Sequence, residues 1–390
     1  MSRRHLSVGV RSVVGLSHSL VVIAALALVM GLVPQANAAT APPPTRPITW
    51  LAVGDSYASG MGVLSDKGDT TCARSQYSDA ADKTTVNGKA ATGSNYQKAW
   101  APAAKDILAA TDPGFAVSNF VFSACSSSTR NEFFSPGPSS TGRPQQWNGT
   151  TKYDLITMTF GGNDVGVIPA VLKCSGISPS GWKINPDLDK KDPLTWFTKV
   201  GCDAKSVLND QVNWLMTGNS KGPGIEKQSF ADFLAQVADQ AVNPGGAIVV
   251  VGYPDFISDP SFWPSYQKNC VGISRSDATT LRDLARTLNG DLATSVDQLN
   301  ANKASHKNIT FTFVDVNTGQ PDYGVALDNP NLYEPTGTSH NLCSANSWIH
   351  GIIVNPTVRA SFHPTADGYA NTAQLVAQRI QQIDWSGLGK

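Results

Sequence analysis

The chain has 390 residues, and its 30 lysines and arginines balance 30 aspartates and glutamates. It shows no basic cluster beyond isolated pairs that could neutralise phosphates, which argues against nucleic acid as a partner. Its apolar, charge-free run Leu20 to Val33 falls short of the roughly 20 residues of a transmembrane helix and no later stretch comes closer, so stable membrane insertion is not expected.

Taken from the start, Arg3, Arg4 and Arg11 precede that apolar run, and Ala36-Asn37-Ala38 follows it as a small-x-small cleavage site. This pattern predicts a signal peptide over residues 1–38 and a secreted, extracellular chain. Its removal takes three basic residues and no acid from the balance of 30 against 30, leaving the mature chain about three charges negative. Residues 39–47, with Pro42-Pro43-Pro44, are expected to be a flexible lead-in. Residues 48–390 are expected to be one domain, because no further Pro/Ser-rich linker divides them. The expected oligomeric state is a monomer.

Five short β-branched or aromatic runs follow: Ile48 to Val53, Ala116 to Phe122, Leu155 to Phe160, Ala247 to Gly252 and Ile309 to Val314. Their near-continuous apolar character suits strands buried on both faces of a parallel sheet. Between them Tyr96 to Ala110, Lys227 to Val242 and Ser276 to Leu299 carry apolar residues at helical spacing, and a last helix is expected from about Thr365 to Ile383. The alternation predicts an α/β fold with a doubly wound sheet, whose functional site lies beyond the carboxyl ends of the strands. Two loop-rich excursions, Gly166 to Gly224 and Asn317 to Ser361, are long enough to read as walls of a substrate cleft.

Six cysteines, Cys72, Cys125, Cys174, Cys202, Cys270 and Cys343, in a chain bound for an oxidising compartment point to three disulfides. Neighbours in order (72 with 125, 174 with 202, 270 with 343) close the shortest loops. In the loop-entropy account each bridge stabilises by roughly 3 to 4.5 kcal/mol. The spacing lacks the close pairs of a zinc site, and neither a metal nor an organic cofactor is expected.

Gly54-Asp55-Ser56-Tyr57 follows the first strand directly, and Ala58-Ser59-Gly60 after it leaves room for a carbonyl to approach the Ser56 hydroxyl. Gly161-Gly162-Asn163-Asp164 ends the third strand in the same way, and a neutral amide donor suits an oxyanion. Of the four histidines beyond the leader, His306 lies in a polar loop, and His340 and His350 flank Cys343. His363, before Pro364 and the last helix, is the favoured base for Ser56. Gly218-Asn219-Ser220-Lys221-Gly222 also fits G-x-S-x-G, but that nucleophile elbow needs a strand before it. Here a helix-like Val212 to Met216 precedes it, so it reads as a surface turn.

G-D-S after strand one, G-x-N-D after strand three and H-P before the last helix resemble the SGNH, or GDSL, hydrolases. More closely, the chain is similar to the secreted bacterial lipases and esterases of that family, which also carry three disulfides. The resemblance implies a three-layer, flavodoxin-like sandwich with a five-stranded parallel sheet and long bridged loops. It implies Ser56 as nucleophile, Asn163 as side-chain oxyanion donor beside the Ser56 amide, and His363 as base. Two positions depart from the family. The strand-two loop Ala124-Cys125-Ser126-Ser127-Ser128 has no glycine to supply the usual further amide, and Ser127 is expected to do so ahead of Ser126. Ala360 stands where most of the family has an aspartate, which predicts a Ser-His dyad oriented by the Ala360 carbonyl, with Asp315 as the rival orienter.

The expected substrate is a small-molecule or lipid-like acyl ester. Tyr57, Met61, Phe133, Phe134, Phe262 and Trp263 are candidates to line an acyl groove, against the blander reading of core packing. An acetyl esterase acting on polysaccharide and a non-catalytic secreted binding domain are the alternatives.

Overall fold

The computed structural model describes residues 41–63, 71–75, 85–86, 89–90, 98–167, 171, 212–218, 227–319, 325–326, 329–351 and 360–389. The expected leader and most of the 166–224 excursion lie outside the described residues.

Five parallel strands form the sheet: β1 (Ile48–Gly54), β2 (Val117–Phe122), β3 (Tyr153–Thr159), β4 (Val242–Val251) and β5 (Thr310–Val314), in spatial order β2-β1-β3-β4-β5. Every residue of β3 is buried and β1 is nearly so; their apolar side chains pack directly, and the buried Asp154 and Thr157 of β3 are satisfied by Arg46 and Trp50, whereas β2 is an edge strand with exposed positions. β4 starts five residues earlier than its apolar run predicts. Val242 pairs with Tyr153 across a register irregularity, and Pro244-Gly245-Gly246 is carried within the strand.

Among the described residues, helices that accompany the sheet include α1 (Ser56–Ser59), α2 (Trp100–Thr111), α3 (Asn131–Phe134), α4 (Gly162–Val165), α5 (Phe230–Ala241), α6 (Arg275–Ala301) and α7 (Ala366–Ile380). The three long crossover or terminal stretches α5, α6 and α7 are each started by a side-chain cap, from Ser229, Ser274 and Thr365. Each cap satisfies an amide that the first helical turn leaves open. Helix α2 packs against α7, and α5 against α6. The strand order reverses direction between β1 and β3, so right-handed crossovers put these pairs on opposite faces and make three layers.

This reversal opens a crevice at the carboxyl ends of β1 and β3. The register shows which residues reach it at one level. Ala52 pairs with both Phe122 and Thr157, and Gly54 with Thr159. Four residues beyond Ala52, Phe122 and Thr157 lie Ser56, Ser126 and Gly161. Met158 pairs with Val250, which brings Tyr253 to the same height. Among the described residues no helix is long and apolar enough to cross a membrane.

Two of the expected disulfides are present, Cys72–Cys125 and Cys270–Cys343; Cys174 and Cys202 lie outside the described residues. Residues 212–217 are helical, and the Gly218 amide donates to the Trp214 carbonyl. The G-x-S-x-G string therefore begins on a helix end, and lacks the strand that an elbow needs.

Candidate active site

Asp55 begins the site by capping α1: its carboxylate accepts the Tyr57 amide at 2.9 Å. Ser56 is thereby the first helical residue, whose amide has no partner within the helix. The Ser56 hydroxyl lies 2.8 Å from Nε2 of His363, although the two are 307 positions apart. His363 Nδ1 lies 2.9 Å from the Ser361 carbonyl. A carbonyl only accepts, so Nδ1 carries the proton, and Nε2 is left with the lone pair that receives the serine hydroxyl.

This arrangement corrects one expectation. The ring is oriented by a main-chain carbonyl, as a dyad requires, but by that of Ser361. The Ala360 carbonyl instead accepts the main-chain amide of His363 at 3.3 Å. The reason is a local turn: Phe362 has φ 63°, a left-handed conformation that re-aims the preceding carbonyl. Asp315 is engaged elsewhere, accepting the Asn317 amide at 2.9 Å and the Thr318 hydroxyl at 3.0 Å.

The histidine turn is held from three sides. Tyr57 donates its hydroxyl to the Phe362 carbonyl at 2.5 Å, and its ring lies 5.0 Å from that of His363. His350 pairs on both sides of Phe362, its amide donating to the His363 carbonyl and its carbonyl accepting the Phe362 amide. The His350 ring reaches the Gly62 carbonyl at 3.0 Å, and burial lowers its pKa. Gly62 is glycine for a steric reason: a Cβ there would stand 1.9 Å from the Pro364 carbonyl oxygen.

Asn163 lies on the short helix α4, and its Nδ2 donates to the Ser128 carbonyl at 2.8 Å. Its neighbour Asp164 accepts Nε of Arg130 at 2.9 Å, with only 3% and 7% of the Arg130 and Asp164 side chains exposed. The loop after β2 and the loop after β3 are thus tied together by an amide and an ion pair. In the first of these loops the Ser126 amide is taken by the Cys72 carbonyl. Ser127 is exposed and has φ 65°, the left-handed region that glycine occupies without strain. Among the described residues no acceptor takes its amide.

Sequence reasoning missed Tyr253. Its hydroxyl donates to the Asp55 carboxylate at 2.6 Å and accepts the Gly162 amide at 2.8 Å, joining the G-D-S turn to the G-G-N-D turn. A Cβ on Gly162 would press to 2.9 Å from the tyrosine ring, so this contact requires the glycine. Burial pushes the Asp55 carboxyl up to about 7, against the pull of the Tyr253 hydroxyl and the Tyr57 amide. A signal was available: Gly252-Tyr253 stands at the end of β4 as Gly54-Asp55 stands at the end of β1.

Asp55, Ser56, Tyr57, Gly162, Asn163, Val167, Tyr253 and Phe256 line one pocket. Of the other groove candidates, Phe133 and Phe134 join Trp147 and Phe233 in an aromatic cluster of the core, and Met61 and Trp263 are buried. Phe262 is exposed.

A 2-1-3-4-5 parallel sheet with a serine after β1, an asparagine after β3 and a histidine before the last helix resembles the SGNH, or GDSL, hydrolases in architecture and motif order. In sequence the chain is similar to Lipase 1 of Streptomyces coelicolor, with 26% identity over 361 residues that take in 91% of this chain and 93% of that protein. Among solved structures it is similar to an extracellular lipase from Streptomyces rimosus, with 20% identity and a TM-score of 0.46 over 84% of this chain and 97% of that one. A phospholipase A1 from Streptomyces albidoflavus gives 20% identity and a TM-score of 0.49 over 85% and 98%. No protein-family model matches the chain.

Proposed function

We propose that the chain is a secreted serine hydrolase of lipid-like acyl esters, working through an acyl-enzyme on Ser56. The observation that carries this reading is the 2.8 Å contact between the Ser56 hydroxyl and His363 Nε2, with the far ring nitrogen on a carbonyl. Nε2 takes the hydroxyl proton as Oγ bonds to the ester carbon, and the carbonyl electrons move onto oxygen. The oxyanion rests on the Ser56 amide, the Asn163 amide hydrogen not used by Ser128, and the Ser127 amide. His363 returns the proton to the leaving alcohol as its bond to the acyl carbon breaks. Water then adds to the acyl-enzyme by the same steps and releases the acid.

Apolar walls from Tyr57, Val167, Tyr253 and Phe256 favour an acyl chain over a sugar, and the similarity to a protein named as a lipase supports the same class. Two disulfides suit an oxidising compartment and so the export that residues 1–38 suggest.

A fluorophosphonate probe tests the chemistry: it should label the chain at Ser56 and leave Ser56→Ala and His363→Ala unlabelled. p-Nitrophenyl esters of rising chain length, alongside a phospholipid and an acetylated polysaccharide, test the substrate. Turnover should favour acyl chains longer than acetyl. Absence of labelling in the parent chain would refute the catalytic reading.

A further inference from the structure

The wall of the pocket continues into a second feature. Phe256, which lines the pocket, leads into the loop Pro260-Ser261-Phe262-Trp263-Pro264-Ser265-Tyr266-Gln267-Lys268. Among the described residues Phe262 and Tyr266 are the exposed large hydrophobics, 74% and 85% accessible.

These rings are displayed by a fixed scaffold. Arg275 donates to four carbonyls of the loop: Pro260, Trp263 at 3.1 Å, Pro264 at 2.7 Å and Gln267 at 3.0 Å. Its guanidinium also lies 5.6 Å from the centre of the Trp263 ring. Trp263 is turned inward, with its Nε1 donating to the Ser258 hydroxyl at 2.8 Å. The Cys270–Cys343 bridge holds the far end. The backbone that carries the two exposed rings is thus fixed by Arg275 and the disulfide.

Charge narrows the choice of occupant. From Pro260 to Ser276 the chain carries Lys268 and Arg275 and no acid, and Lys268 is exposed. Asp259, just before the loop, is turned to the Ser261 amide and lies 3.9 Å from Arg282. A second copy of the chain is disfavoured by size, since a stable dimer buries about 800 Å² per partner, more than two side chains supply. A lipid surface needs only that aromatic rings enter the headgroup layer beside a cation that meets lipid phosphate.

We propose that the loop of residues 260–268 is an interfacial anchor that seats the protein on phospholipid aggregates, with Phe262 and Tyr266 entering the headgroup layer and Lys268 facing phosphate. The identity of the lipid as substrate rests on the ester-hydrolase reading above; the binding does not. The anchor begins at the pocket wall, so seating it brings acyl chains to the mouth of the site that holds Ser56.

The test compares the exported chain with a Phe262→Ser/Tyr266→Ser double variant, neither residue of which touches Ser56, His363 or Asn163. Cosedimentation with phosphatidylcholine–phosphatidylglycerol vesicles should weaken at least about ten-fold in the variant, as expected when two interfacial aromatics are removed. Hydrolysis of vesicle phospholipid should fall with it, while melting temperature and turnover of soluble p-nitrophenyl butyrate stay unchanged. Equal vesicle binding by the two proteins, or no binding by the parent, overturns the anchor. So does a parent that sediments as a dimer and a variant that does not, since the loop is then a self-association surface. If the parent binds vesicles through the loop but hydrolyses no ester, the hydrolase reading fails and the anchor stands.

Discussion

The Tyr253 hydroxyl spans two loops: it donates to Asp55 at 2.6 Å and accepts the Gly162 amide at 2.8 Å. Asp55 directly precedes Ser56, the proposed nucleophile, and Gly162 directly precedes Asn163, the proposed oxyanion donor, so one phenol sets the separation of those two loops.

Tyr253→Phe keeps the ring and removes the bridge. It leaves a buried carboxylate and a buried amide each short of a partner, at a cost of about 1–3 kcal/mol. Steady-state kinetics on a soluble p-nitrophenyl ester should show kcat falling with KM little changed, because the loss acts on the oxyanion and not on the bound acyl chain. A change in KM alone would show that Tyr253 serves only as pocket wall.

Asp55 makes stability depend on pH in an unusual direction. Its folded pKa is raised from 3.8 to about 7 by burial, so the folded state holds a proton that the unfolded state has already released. The associated stability is full below the unfolded value and is lost as pH rises through about 7. Urea midpoints should therefore decline between about pH 4 and 7, by an amount on the order of a few kcal/mol. Asp55→Asn should flatten that slope.

Arg130 and Asp164 are both nearly fully buried. Removing one partner of such a pair strands a charge and costs about 3–5 kcal/mol. Arg130→Ala is expected to lower the melting temperature. At temperatures where the variant remains folded, it should also reduce kcat, since Asp164 adjoins Asn163. An Arg130→Met/Asp164→Leu double variant should recover stability but not full turnover.

Asp315→Asn should leave turnover of a p-nitrophenyl ester within a few fold, because His363 Nδ1 bonds to the Ser361 carbonyl and Asp315 to Asn317 and Thr318. Loss of several orders of magnitude would assign Asp315 the orienting role that the dyad withholds from it.

The strands were legible because strands buried on both faces are mostly apolar, a property written locally in Ile48 to Val53 and Leu155 to Phe160. Helices α5 and α6 were legible from apolar residues at helical spacing, which is again a local signal. Ser56, Asn163 and His363 could be picked out because each follows or precedes such an element. The structure moved the histidine-orienting carbonyl from Ala360 to Ser361, because carbonyl direction depends on the φ of Phe362, and nothing in a phenylalanine announces a left-handed turn. Of the phenylalanines expected in an acyl groove, Phe133 and Phe134 packed with the core and Phe262 stayed exposed, since an aromatic side chain suits either place and only neighbours such as Trp147 and Phe233 decide between them.

The amino-acid sequence by itself determined the α/β class and, to within a few residues, the five strands. These depend on interactions within short segments. The tertiary structure alone decided that Tyr253, 198 positions from Asp55, joins two loops, and that Arg130 pairs with Asp164. Sheet register sets those distances, and register is a property of strands brought together from distant parts of the chain.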